Sequence, residues 1–186
     1  MKQSERHVTK IAKTSGTPLK RAKLLFRLSE YFKPNHILEL GTSLGIGTHA
    51  MGIGQPNARI TTVEGCPNLH NFSKDILNQN LSNEIEFINA DFNKVVGELA
   101  TNKFDLIFFD GNHQKEATIR YFETLLPTAH NDSVFIFDDI YWSKGMTEAW
   151  EIIKQHPKVT VTIDTFHWGF VFFRKEQGKE HFRIRL

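Results

Sequence analysis

A chain of 186 residues can bury roughly 70% of the surface its unfolded form would expose, so one domain spanning 1–186 around one core is expected. Its 40% hydrophobic and 24% charged residues exclude disordered and fibrous classes, and no apolar run nears the ~18 residues of a membrane span. A net charge of +2, a polar N-terminus without a signal-peptide core and a single cysteine, Cys66, lead to the expectation of a cytoplasmic protein without a membrane partner.

The charge is segregated. Residues 1–33 carry nine Lys/Arg against two acids, residues 34–173 nine against seventeen, and residues 174–186 five against two. A basic N-terminal segment can bind nucleic acid or an anionic surface, but on a helix such residues ordinarily form a solvated face. Thr17-Pro18 reads as a helix start, and Leu24, Leu25, Leu28, Tyr31 and Phe32 then recur at spacings of three and four up to Pro34. From His36 onward apolar runs alternate with helical patterns: HILEL, 46–53, RITTVE, 68–80, IEFINA, 92–101, FDLIFF, 115–126, SVFIF and 146–155. Five β-α units in series predict an α/β fold, a Rossmann-like, mostly parallel sheet with helices on both faces. VTVTID (159–164) and GFVFFR (169–174) lie too close for a crossover and add a C-terminal antiparallel hairpin, for seven strands in all, with 34–175 as core and 176–186 as a tail.

In such sheets ligands bind beyond the carboxyl ends of the strands. The first strand runs into Glu39-Leu-Gly41-Thr42-Ser43-Leu-Gly45-Ile-Gly47, a glycine-rich turn that lets a ligand approach the backbone and the new helix's N–H groups. Its spacing is neither the dinucleotide fingerprint nor a P-loop, which disfavours nicotinamide enzymes and nucleotide hydrolases. Glu64, followed by Gly65, ends strand two, where a carboxylate can accept from both hydroxyls of a ribose; it is equally a cap for the next helix. Asp91-Phe92 after strand three offers an acceptor beside a ring, and Asp there is also a common N-cap. Strand four runs into Asp110, Gly111, Asn112 and His113, and strand five into Asp138-Asp139. Three carboxylates on one edge would raise one another's pKa unless a cation sits among them, and Mg²⁺, then Ca²⁺ or Mn²⁺, would serve. Alternate residues of a strand face opposite ways, so Asp138 and Asp139 can share an ion only where the chain has left the strand. Cys66-Pro67 reads as packing beside the ribose position, not as a nucleophile.

ILELGTSLGIGTHAM, TTVEGCP, FINADF, FDLIFFDGNH and SVFIFDDIYW, in this order, resemble the class I S-adenosylmethionine-dependent methyltransferases, nearest to the small O-methyltransferases of the catechol and caffeoyl-coenzyme A type. The likeness covers roughly residues 17–175. It implies that Glu39, Gly41, Thr42, Ser43 and Gly45 hold the methionine part of the cofactor, Glu64 with Gly65 its ribose, and Asp91 with Phe92 its adenine, with Asp110 also at the cofactor edge. It further implies a divalent ion on Asp110, Asp138 and Asp139, where metal-dependent members carry Asp, Asp and Asn, and a general base at His113, where they carry Lys. A hydroxyl acidified by the metal and deprotonated by His113 would attack the sulfonium methyl in line. The implied partner is a small-molecule acceptor, with Trp142, Phe166 and Trp168 as candidates for an aromatic pocket, and a homodimer is compatible with the likeness. Nucleic-acid methylation is disfavoured because the Asn/Asp-Pro-Pro-aromatic signature and a Pro-Cys pair are both missing. Two rivals stand beside this reading: a metal-free methyltransferase, and a non-catalytic cofactor-binding module docking through its basic arm.

Overall fold

The computed structural model describes residues 17–185. Its elements run α1 (Leu19–Phe32), β1 (His36–Leu40), α2 (Ile46–Gly54), β2 (Arg59–Glu64), α3 (Pro67–Asn80), β3 (Ile85–Asn89), α4 (Phe92–Leu99), β4 (Leu106–Phe109) and α5 (Lys115–Leu125). After a short 3₁₀ turn come β5 (Val134–Asp138), α6 (Lys144–Gln155), β6 (Val161–Asp164), β7 (Trp168–Phe172) and β8 (Glu180–Arg183). All strands join one sheet in the order β3-β2-β1-β4-β5-β7-β6-β8. β1 to β5 are parallel, and β7 runs antiparallel between β5 and β6 as the short connection requires. The expected seven strands become eight, because Glu180–Arg183, read as tail, pairs in parallel with β6. Its charged sequence hid it: an edge strand with every residue exposed carries no apolar run.

The sheet is covered on both faces, which is why β4 is apolar at every position and β5 at every position before Asp138. Ile107 and Phe109 pack with Phe135 and Phe137 under α4, α5 and α6, while Leu106 and Phe108 pack with Val134 and Ile136 under α1 and α2. α1 is preceded by Pro18 at its N-cap, whose missing N–H costs nothing there, and is followed by Lys33 in a left-handed turn, φ 49°, that returns its N–H to Ser29. Leu25 is fully buried and Leu24, Leu28 and Phe32 pack beside it, but Tyr31, expected on the same stripe, points outward and is 79% exposed. Full burial of Leu25 stabilises by about 2 kcal/mol. Of the basic segment 1–33, residues 1–16 lie outside the described residues. On the described part the solvated-face expectation fails at Arg21, which turns inward to the ends of the strands.

Candidate functional site

Strand order reverses its growth between β1 and β4, so the chain leaving β1 toward α2 and the chain leaving β4 toward α5 part company and open a crevice. The segments that follow β1 to β5 all border one cavity of about 680 Å³. The two chains touch at its base: the Asp110 N–H donates to Leu40 O at 2.9 Å. Gly41, with φ +113°, faces the Asp110 carbonyl so closely that a Cβ would collide with it. Only glycine meets both the dihedral and the approach.

At the β1–β3 end, Gly41, Ser43, Glu64, Gly65, Asp91 and Phe92 line the cavity as expected. Glu64 is held from two sides, its Oε2 accepting from Ser43 N–H at 2.9 Å and its Oε1 from Cys66 N–H at 2.8 Å. Each oxygen keeps a lone pair for a further donor. Cys66 therefore contributes its backbone, and its thiol is exposed instead of packed. Asp91 is the N-cap of α4, accepting from Asn93 N–H at 2.8 Å, and still borders the cavity. Phe92 meets Tyr121 edge-on at 5.9 Å, and the Tyr121 hydroxyl, bonded to Asn93 and Asn112, fixes the turn after β4.

Glu39, Thr42 and Gly45 lie beneath this turn instead of on the cavity wall. Thr42 is buried and shares its hydroxyl with Thr62 at 2.6 Å, while Gly45 caps α2 over Leu77 with φ +79°. Glu39 is 1% exposed and accepts from the hydroxyls of Thr48 and Thr62. Burial outweighs those two bonds and pushes its carboxyl up from 4.5 to about 7.

The other end gathers the carboxylates. Asp138 closes β5, and Asp139 turns the chain out of the strand with φ +53°, the departure that sharing an ion would require. Asp110, His113 and Asp138 each offer a ligand atom, all within 4.8 Å of one another. Asp139 is not in that group, so the expected triad of Asp110, Asp138 and Asp139 is replaced here by one with His113 as third member. Burial, then the Asp138 charge, hold the Asp110 carboxyl well above the usual carboxylate range. Asp139 is raised by burial and by Asp138, against the pull of His113, Arg21 and His167.

The sequence asks for a cation among these acids, and Arg21 brings one. Its Nη1 lies 3.0 Å from Asp138 Oδ1 and 3.8 Å from Asp139 Oδ1, and the same Asp138 oxygen accepts from the Trp168 indole N–H at 2.6 Å. Trp168 is thus a buried support, and Phe166 borders a separate hollow with Tyr141; of the three expected aromatics, Trp142 alone lines this cavity. Neither Arg21 nor the Trp168 bond was foreseen. A partner 117 residues away leaves no local pattern. Two carboxylates and an imidazole suit a divalent ion as donors, and that ion would have to share Asp138 with the guanidinium.

A family model described as Methyltransferase domain matches residues 38–140, more than half of the chain. Among solved structures, an O-methyltransferase from Bacillus cereus in complex with SAH aligns with TM-score 0.75 at 20% identity, over 89% of this chain and 88% of that one. The O-methyltransferase TomG from Streptomyces achromogenes, involved in tomaymycin synthesis and in complex with SAM, aligns with TM-score 0.77 at 18% identity, over 92% and 91%. The SAH-bound methyltransferase PaMTH1 from Podospora anserina aligns with TM-score 0.73 at 17% identity, over 86% and 80%. These likenesses establish the fold.

Proposed function

The chain belongs to the methyltransferase domain family of S-adenosylmethionine-dependent enzymes, and from that premise we propose that it methylates a hydroxyl of a small-molecule acceptor. The observation that carries this reading is one cavity with a held carboxylate, Glu64, at one end and the Asp110–His113–Asp138 group at the other. Glu64 accepts from the ribose hydroxyls, Asp91 and Phe92 take the adenine, and the bare Gly41 backbone admits the methionine end. His113 removes the acceptor's proton at a ring nitrogen, and Asp138 orients that end of the site while Trp168 and Arg21 hold it in place. Asp110 and Asp138 would hold a divalent cation, Mg²⁺ first, with Asp139 outside that group and His113 kept as the base; when bound it would supply charge that acidifies the hydroxyl. In-line positioning supplies the remainder of the catalysis.

A second reading, favoured by the ion pair of Arg21 with Asp138, is metal-free transfer in which the guanidinium balances the acids. The expectations of a homodimer and of cytoplasmic residence stand as part of the proposal; among the described residues no helix is long and apolar enough to cross a membrane.

Incubation with S-adenosylmethionine and a panel of phenolic and vicinal-diol acceptors, with released S-adenosylhomocysteine measured, tests the reading. Turnover that His113→Ala lowers by about a hundredfold, at unchanged S-adenosylhomocysteine affinity, supports His113 as base; equal turnover removes it. Loss of turnover in EDTA, restored by Mg²⁺, supports the metal, and indifference to EDTA leaves the Arg21 version.

A further inference from the structure

A second hollow of about 230 Å³ lies beside the cavity, between α1 and the turn from β6 to β7. Lys20, Arg21, Leu24 and Arg27 form its helical wall, and His167 and Trp168 face them. Arg21 lines both spaces, so the hollow is the cavity's neighbour across one side chain. Lys20, Leu24 and Arg27 recur at spacings of four and three, which puts them on one helix face.

The chemistry of this wall runs against its surroundings. Among the described residues no carboxylate lines the hollow, although residues 34–173 carry seventeen acids against nine bases. Arg21 is matched by Asp138 and Asp139. The Arg27 side chain makes no ion pair or hydrogen bond among the described residues and is exposed, as is His167. The floor is apolar: Leu24 is partly buried, and Trp168, with its one polar atom committed to Asp138, offers carbon surface. A cationic rim over an apolar floor suits an amphipathic anion, because a guanidinium binds oxyanions in a forked geometry while the floor takes the apolar body out of water.

We propose that this groove is the acceptor's anion subsite: the methyl acceptor carries a carboxylate, sulfate or phosphate held by Arg27 and His167, and an apolar body over Leu24 and Trp168. Its hydroxyl then reaches past Arg21 to His113. The proposal rests on reading the larger cavity as the methyl-transfer site and names the substrate class for it.

The test uses 1-anilinonaphthalene-8-sulfonate, whose sulfonate sits on apolar rings, against uncharged N-phenyl-1-naphthylamine, both followed by fluorescence on the full chain saturated with S-adenosylhomocysteine. Tighter binding of the sulfonate is expected, with Arg27→Glu weakening it about tenfold and Arg27→Lys retaining most of it. The uncharged probe should bind both variants alike. Because Arg27 is exposed, both variants should fold, and a matching Tm checks that. Equal sulfonate affinity in wild type and Arg27→Glu would overturn the proposal, as would equal binding of the two probes to the wild type. Capture on phosphatidylglycerol vesicles that Arg27→Glu abolishes while the sulfonate is unaffected would also overturn it, giving the groove to a membrane surface. Titration of the same samples with S-adenosylhomocysteine reads the other site: its failure would sink the methyl-transfer reading and with it the groove's role as acceptor subsite, whereas its success with an Arg27-independent probe would sink the groove alone.

Discussion

Replacing Glu39 by Gln should make the protein's stability less sensitive to alkali. The Glu39 carboxyl is sealed in β1, with Thr62 Oγ1 at 2.6 Å from Oε2 and Thr48 bonded to the same oxygen. Desolvation is the larger effect and lifts the group from 4.5 to about 7, helped by the nearby Glu64 charge. A raised acid is protonated more readily in the folded than in the unfolded chain. Its contribution is therefore complete below pH 4.5 and lost as pH rises through about 7. The interval corresponds to about 3 kcal/mol. Gln mimics the neutral carboxyl and cannot ionise. Urea unfolding of both proteins at pH 5 and pH 8 should show the variant gaining on the wild type by about 2–3 kcal/mol across that span. Asp139, whose carboxyl is also raised, titrates in both proteins and cancels in the difference, while Asp110, raised in part by the Glu39 charge, is relieved in the variant and adds to its gain in the same direction. A difference that stays constant within about 0.5 kcal/mol would refute the assignment of the buried charge to Glu39.

Gly41→Ala should cost on the order of 3 kcal/mol or more in urea unfolding and abolish S-adenosylhomocysteine binding, because the new Cβ meets the Asp110 carbonyl at a φ of +113°. Gly169→Ala should lose about 1–3 kcal/mol without altering cofactor affinity, since its Cβ would lie 2.6 Å from the ring of Trp150, which does not line the cavity. Arg21→Ala should destabilise by about 1–2 kcal/mol at neutral pH by leaving Asp138 with the Trp168 N–H alone. In the double variant with Asp138→Asn the two losses should be clearly less than additive, and strict additivity in that cycle would deny the ion pair.

Much of the fold was legible because the parallel strands are buried on both faces. LIFF and VFIFD carry no alternation to misread, and the short link between β6 and β7 leaves only an antiparallel pairing. The positions at the strand ends were legible for the same reason, since the architecture itself aims Gly41, Glu64, Asp110 and Asp138 at one edge. What escaped depends on contacts distant in sequence. Arg21 looks like any basic residue of a solvated helix until α1 lies across β5, and Trp168 looks like a pocket aromatic until its indole N–H finds Asp138. Glu39 and Gly45 stand in the right motif, yet depth within the layer, which spacing does not encode, puts them under the turn. β8 was missed because an exposed edge strand has no reason to be apolar.

The central claim is that the cavity at the β1–β4 switch point holds S-adenosylmethionine with Glu64 on its ribose. Calorimetric titration of the protein with S-adenosylhomocysteine, repeated with Glu64→Ala and with added Mg²⁺, tests it most directly. One site per chain is predicted for the wild type, with affinity lowered at least about tenfold in Glu64→Ala, where two charge-assisted bonds are lost. Heats indistinguishable from buffer dilution at ~1 mM ligand, or an affinity indifferent to Glu64, would contradict it.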